Sequence, residues 1–447
     1  MDGCVRLLLV TIPERGFINP SLQIAKRLVK NGVNVTFLTA FSALKRMSKS
    51  TSTTPQGLTF FGFSDGYDDG PQISDRYAEE LRTRGSEAME KLLKSEAQRG
   101  QPFMHVVYTT LLPWAGKVAR ALHVPSTFLW IQPTTVFCVY YYYINGYGDL
   151  IGKNISDPSW SVELPGLPAL TGDDLPSFLL ASNTLNHVVP VLKEHLDVLS
   201  LETKPKVLVN SFDALEYDAL RGIGKLNLVP VGPLIPSAET SFREDLLQDS
   251  KAYSEWLDSR ARESVIYAAF GSVTTVAKQQ MEEIAHGLLE CGRPFLWVVR
   301  GSEVEKLSSK LEQLEQQGMI VPWCSQVEVL SHPSVGCFIT HCGWNSSLES
   351  LVSGVPMVAF PQWSDQATNG KLIQDVWKTG VRATRNAEGI VRRNEIKKCI
   401  DLVMAGDEMR NNAKKWKDLG RKACEEGGSS DKNLKSFVEE VMGSLVK

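Results

Sequence analysis

The sequence has no CxxC pair among its eight cysteines and no HxxxH or HExxH spacing among its seven histidines. Those absences argue against a zinc ribbon, a redox dithiol or a histidine-held metal centre. An excess of charge of either sign is missing as well. With 48 Lys+Arg against 51 Asp+Glu, the formal net charge of −3 offers no basic face to nucleic acid or to an anionic membrane surface. No apolar run approaches the roughly 20 residues a membrane span needs. The N-terminal run Val5–Ile12 is short and no small-residue cleavage site follows it. The aromatic stretch Val139–Tyr143 ends at Asn145-Gly146 and reads as buried core. With no targeting segment in view, a cytoplasmic protein is expected. Low-complexity tracts and short internal repeats are also lacking.

What is present is ordinary globular material: 447 residues, 43% hydrophobic and 22% charged, enough for two to three domains. The cysteines at 4, 138, 291, 324, 337, 342, 399 and 424 lie in settings such as Gly336-Cys337-Phe338, which suit reduced core thiols. Arg6–Ile12 carries the continuous apolar pattern of a parallel strand buried on both faces. Asn19 reads as the cap and Pro20 as the opening residue of a helix through Leu22, Ala25, Leu28 and Val29, which Gly32 ends. Strands at Val33–Thr39, Phe103–Tyr108 and Ser126–Ile131, with a helix from Pro113, continue the alternation and predict a doubly wound parallel sheet.

The rhythm lapses between Leu234 and Tyr253, where Pro236, Ser237, Ser241 and a run of acids read as a linker over residues 236–252. It resumes with strand Ser264–Phe270, helix Gln279–Leu289 and strand Pro294–Val299. Strands Val335–Thr340 and Pro356–Phe360 follow, each before a helix. Two Rossmann-like α/β halves are predicted, residues 1–235 and 253–447, with ligands at the carboxyl ends of their strands. Amphipathic helices over Asn394–Val446 close the chain, the last expected to pack back on the first half.

One segment carries specific chemistry. It runs Trp323-Cys-Ser-Gln326, then Thr340-His-Cys-Gly-Trp-Asn-Ser346, Glu349 and Pro361-Gln-Trp-Ser-Asp-Gln366, with 44 residues from Trp323 to Gln366. Cys337–Thr340 reads as a strand, His341–Trp344 as a tight turn and Asn345–Val352 as a helix. Gly343 lets backbone approach a ligand closely, and the helix amides with Asn345 and Ser346 face an anion. His341 at that mouth suits a phosphate oxygen, and Glu349 one turn along suits ribose hydroxyls. No GxGxxG follows the first strand of either half, which disfavours a nicotinamide dehydrogenase.

This segment resembles the plant secondary-product glycosyltransferase box, the donor-site signature of plant family-1 UDP-glycosyltransferases. The resemblance extends to Phe270-Gly-Ser272, the Asn19-Pro20 pair, Pro113-Trp114 and Val231-Gly-Pro233. It implies the GT-B fold, two Rossmann-like doubly wound domains facing across a cleft, acceptor on the first and donor on the second. It implies further that Trp323 stacks on uracil with the Cys324 backbone and Gln326 nearby. Ser272, His341, Asn345 and Ser346 would hold the diphosphate, Glu349 the ribose, and Trp344, Asp365 and Gln366 the sugar hydroxyls. A terminal Gln in this box goes with glucose, where His goes with galactose. UDP-glucose is then the co-substrate, a small aglycone or glycoside the acceptor, and no further cofactor is called for. Nothing in the sequence specifies an oligomeric state.

The family's base is a histidine after the first strand, helped by an aspartate. Here the loop reads Pro13-Glu-Arg-Gly16-Phe17-Ile-Asn-Pro20, with Phe17 at the histidine position, and Thr109 stands where the aspartate belongs. Neither can accept a proton. Three explanations stay open: an acceptor that arrives ionised, such as a carboxylic acid; a surrogate base, with Glu14 in the same loop and Arg15 beside it lowering its pKa; or a donor-binding protein with weak activity. The expected acceptor pocket contains Phe17, Phe137, Tyr140 and Phe178, with Arg15 either a solvated loop charge or a carboxylate clamp. An anthocyanin 5-O- or hormone- and carboxylate-glucosylating enzyme is the leading reading, a nucleotide-sugar-binding protein the rival.

Overall fold

The computed structural model describes residues 5–48, 54–69, 76–180, 187–236, 247–272 and 274–443. It divides into two compact units, one of residues 1–172, 178–236 and 422–447, the other of residues 173–177 and 237–421.

The first unit is built on a seven-stranded parallel sheet. Its spatial order is Leu58–Phe63, Asn34–Ala40, Arg6–Val10, His105–Thr109, Ser126–Trp130, Lys206–Val209, Asn227–Pro230. The apolar run Leu7–Val10 is buried on both faces at the centre, where Val10 pairs with Tyr108. Behind the sheet the rings of Tyr108, His195 and Phe128 stack, with the His195 and Phe128 centroids 4.2 Å apart. The last helix, Ser429–Gly443, belongs to this unit. Its Leu434, Phe437, Val438 and Val441 are buried, Asn433 donates to the Pro230 carbonyl at 2.9 Å, and Glu440 pairs with Lys206.

The second unit carries a six-stranded parallel sheet in the order Met319–Val321, Phe295–Val298, Val265–Ala269, Val335–Thr340, Met357–Ala359, Gly380–Arg382. The helices Lys278–Glu290 and Arg393–Ala405 pack on its core around Trp297, Ile284 and Ile400.

Two local readings change. The first helix runs Arg15–Lys30, not from Pro20. The Glu14 carbonyl accepts from both Phe17 N–H and Ile18 N–H at 2.9 Å, and Ser21 Oγ lies 2.7 Å from the Phe17 carbonyl oxygen. Pro20 is thus the sixth residue, inside the helix, where it has no N–H to donate to the Gly16 carbonyl. The predicted linker 236–252 is also shorter at its far end. Residues 237–246 of it lie outside the described residues, but Leu247–Asp258 is a helix, drawn in by Tyr253 and Leu257, four apart and 2% and 1% exposed.

The seven described cysteines are free thiols, and Cys4 lies outside the described residues. Among the described residues no helix is long and apolar enough to cross a membrane.

Candidate active site

In a doubly wound sheet the strand order reverses at one point, and the loops leaving the strands there form the ligand crevice. In the second unit that point lies between Val265–Ala269 and Val335–Thr340, where Ala269 pairs with Thr340. The chain therefore brings Phe270–Ser272 and His341–Trp344 together. Cys342 turns the corner with φ 65°, a left-handed conformation disfavoured for a side-chain-bearing residue. It is held by its N–H donating to Thr340 Oγ1 at 3.1 Å and by Asn369 Nδ2 donating to its carbonyl at 2.7 Å.

The His341 ring sits between two glycines. A Cβ on Gly271 would lie 2.6 Å from Nε2, and one on Gly343 2.5 Å from it, so a side chain at either position would displace the imidazole. Burial pulls the imidazole pKa down to about 4, which keeps it neutral near pH 7, and Nδ1 has no hydrogen-bond partner among the described residues. The helix Trp344–Ser353 starts beside it without a side-chain cap, its first internal bond running from Ser347 N–H to the Gly343 carbonyl at 3.0 Å. The first-turn amides, which a helix cannot bond internally, and the dipole behind them suit a diphosphate. Asn345 and Ser346 lie in that first turn, and exposed Ser272 leads off the neighbouring strand.

One turn deeper, Glu349 is buried with no cationic partner among the described residues. Gln326 Nε2 donates to its Oε2 at 2.6 Å and to Ser346 Oγ at 2.8 Å, while Tyr267 Oη donates to Gln326 Oε1 at 3.3 Å. Burial raises the Glu349 pKa to about 7, and the Gln326 bond opposes only part of that. Cys324 is buried with its sulfur 3.4 Å from Tyr267 Oη, and burial pushes its thiol up to about 12, so its side chain is inert. Half-buried Trp323 precedes it on the loop ahead of the helix Gln326–Ser331.

The third loop holds Asp365 and Gln366. Asp365 is buried, its carboxyl raised to about 6 by desolvation against the bond from Asn369 Nδ2 at 2.7 Å. Gln366 Oε1 accepts from the Gln362 and Trp363 amides at 2.8 and 3.1 Å, which fixes the carboxamide and directs only its NH₂ group elsewhere. Trp344, expected at the sugar hydroxyls, opens the helix with its ring turned inward. Its indole is buried against Trp377 with centroids 5.9 Å apart, so its side chain belongs to the core and its backbone to the helix mouth. Asn369, which ties Asp365 to the Cys342 turn, was missed; its position four residues after Asp365 on one helix was the available signal.

In the first unit the reversal falls between Arg6–Val10 and His105–Thr109, followed by Thr11–Phe17 and Thr109–Thr110. Phe17 is half-buried in the first turn of its helix. Thr109 is buried and its hydroxyl donates to Thr11 Oγ1 at 3.3 Å, with Ser21 Oγ 3.1 Å from the same atom. Hydroxyls thus run from Thr109 through Thr11 to Ser21, which reaches the Phe17 backbone. Thr110 Oγ1 is buried and without a partner among the described residues.

Glu14 caps the helix through its backbone, and its carboxyl pKa is raised: burial outweighs the lowering by Arg46 and Arg15. Arg15 lowers it as expected, and burial overrides that lowering. Arg15 itself is half-buried at the first helical position. Phe137 and Tyr140, expected in a pocket wall, are 4% and 3% exposed and pack on Trp130, because their helix is apolar all round. Phe178 is half-buried in the turn Ser177–Leu179.

Residues 237–421 match the family described as UDP-glucoronosyl and UDP-glucosyl transferase. The chain is 55% identical to crocetin glucosyltransferase, chloroplastic, of Gardenia jasminoides, over 97% of each chain. It is 51% identical to anthocyanidin 3-O-glucoside 5-O-glucosyltransferase of Verbena hybrida, over 98% of this chain and 99% of the other. Among solved structures, Os79 from O. sativa in complex with UDP superposes with a TM-score of 0.85 at 33% identity, covering 97% of this chain and 100% of that one. The chain belongs to the plant UDP-glycosyltransferases, as a UDP-sugar glycosyltransferase of the GT-B fold.

Proposed function

We propose that the protein transfers glucose from UDP-glucose, with inversion at the anomeric carbon, to a small hydrophobic acceptor that reaches the site already ionised, a carboxylic acid foremost. The observation that carries this is the hydroxyl chain Thr109–Thr11–Ser21 beside Phe17, which leaves no titratable group where the family keeps its base. A carboxylate with pKa about 4 needs no proton removed at pH 7, whereas a phenol near 10 is only about 0.1% ionised. Losing a general base costs about 10²–10⁴ in rate, a loss the carboxylate avoids. Its oxygen attacks the anomeric carbon while the bond to the diphosphate breaks, and UDP departs with the electron pair toward the amides at the start of the helix Trp344–Ser353. Trp323 would stack on the uracil, Glu349 receive the ribose hydroxyls, and Asp365 and Gln366 the glucose. Relatives named for crocetin and for an anthocyanidin glucoside support acceptors of aglycone or glycoside size.

A second reading has one observation behind it. Glu14 lies three residues before Phe17, and burial raises its pKa toward the range a general base needs. UDP release measured with a carboxylic acid and a phenol of matched size separates the two. The acid should react at least about tenfold faster, and Glu14→Gln should leave its rate unchanged. A phenol rate that equals the acid's and collapses in Glu14→Gln would transfer the role to Glu14. No release with either, while UDP still binds, would leave a nucleotide-sugar-binding protein.

A further inference from the structure

Residues 173–177 come from the first half of the sequence yet belong to the second unit. Their attachments fall on the loop at Ser364, on the helix Gln366–Lys371 that follows it and on Arg382 of the strand Gly380–Arg382. Ser177 N–H donates to the Ser364 carbonyl at 2.9 Å, and Ser364 N–H donates to Ser177 Oγ at 2.7 Å, a two-way pairing. Asp174 is buried and its Oδ1 accepts from Arg382 Nη1 at 2.7 Å, with Lys371 Nζ 3.7 Å from Oδ2. The Asp174 carbonyl accepts from Thr368 Oγ1 at 2.7 Å, and the Asp173 carbonyl from Arg382 Nη2 at 2.6 Å.

The loop so held begins under strain. Ser364 has φ 61°, a conformation an L-residue adopts only when its surroundings enforce it. Three consecutive amides there meet side-chain oxygens: Gln362 and Trp363 donate to Gln366 Oε1, and Ser364 donates to Ser177 Oγ. The same loop continues directly into Asp365 and Gln366. Ser177 therefore completes the scaffold that orients the Gln366 carboxamide.

We propose that the strap Asp173–Ser177 is a positioning element for the hexose half of the donor, with Ser177 and Asp174 setting the sugar loop and touching neither uridine nor diphosphate. This rests on the reading of Asp365 and Gln366 as the sugar-binding residues. The consequence is a separation of affinities. Disturbing the strap weakens recognition of the hexose and leaves recognition of UDP alone.

The test is calorimetric titration of UDP, UDP-glucose and UDP-galactose into wild type, Ser177→Ala, Ser177→Thr, Thr368→Val and Gln366→Ala. Ser177→Ala should bind UDP within about twofold of wild type and lose most of the preference for UDP-glucose over UDP-galactose, with Thr368→Val acting in the same direction. Ser177→Thr, which keeps the hydroxyl, should restore the preference. If Ser177→Ala weakens UDP and UDP-glucose equally, or keeps the full glucose preference while Gln366→Ala loses it, the strap has no positioning role. If Gln366→Ala also keeps the preference, the sugar-loop reading itself falls, and the strap proposal with it.

Discussion

At the scale of single residues, the most informative atom is Gln366 Oε1. Because it accepts two backbone amides, the residue faces a ligand as a donor only. Gln366→Glu keeps the acceptor and loses the NH₂, so the loop should hold while the hexose contact is lost. We expect UDP affinity within about twofold of wild type and a UDP-glucose turnover reduced about tenfold or more, the size of one polar pocket contact. Gln366→His cannot accept from both amides and should also shift the donor preference away from glucose; an unchanged UDP-glucose to UDP-galactose rate ratio would remove Gln366 from the sugar site. Phe17 supplies the other residue-level test. Phe17→His places an imidazole in the first turn of a helix, where the dipole disfavours its charged form. Without a carboxylate partner it should raise phenol turnover only partly. Adding Thr109→Asp should exceed the sum of the single changes, since the two positions already communicate through Thr11 and Ser21. A carboxylic acid acceptor should gain little from either. Flat phenol rates in Phe17→His, with UDP still bound, would refute the missing-base account.

At the scale of the element, the helix Trp344–Ser353 carries a buried carboxyl whose ionisation opposes folding. Glu349 is buried with a pKa raised from its ordinary 4.5 to about 7. The folded state thus holds this proton more tightly than the unfolded chain does. The stability this confers is complete below pH 4.5 and is lost as pH rises through about 7. The displacement corresponds to about 3 kcal/mol. Glu349→Gln keeps the shape without the charge, so the ligand-free variant should melt higher than wild type at pH 8, by roughly 5 °C, with the gap closing at pH 5. The same variant should bind UDP at least about tenfold more weakly, because an ionised carboxylate is the better acceptor for two ribose hydroxyls. A variant that melts like wild type at pH 8 would show that Glu349 ionises without cost. The element itself was legible in sequence: Cys337–Thr340 as strand, Gly343 as corner and a helix behind it. The close approach of Gly271 to His341 was not, because the two residues meet across the strand reversal and no local pattern records that.

At the scale of the whole molecule, the two sheets were legible because parallel strands buried on both faces appear as unbroken apolar runs, Leu7–Val10 and Val265–Ala269 among them. What stayed hidden has a common cause. The strap Asp173–Ser177 takes its partners from residues 364–382, and a five-residue segment carries no periodicity to announce them. For Glu14 the lowering by Arg15 is readable from the adjacent position in sequence, whereas the burial that outweighs it is not. The last helix exemplifies non-local construction: it closes the first unit although nearly two hundred residues of the second intervene. Leu434, Phe437, Val438 and Val441 are all at most 5% exposed there. Burying four such side chains contributes about 1.5–3 kcal/mol each, a total comparable to the whole stability of a domain. Truncation after Gly427 should therefore unfold the first unit while residues 237–421, which match the family and contain the residues proposed to bind the donor, keep their own core. The expected outcome is rapid proteolysis confined to residues 1–236, a UDP affinity within about threefold of the full chain, and no detectable transfer to any acceptor. A truncated protein whose first half resists protease as the full chain does would show that the strand Asn227–Pro230 and its neighbours are sealed without the last helix, and that this helix is peripheral to the fold.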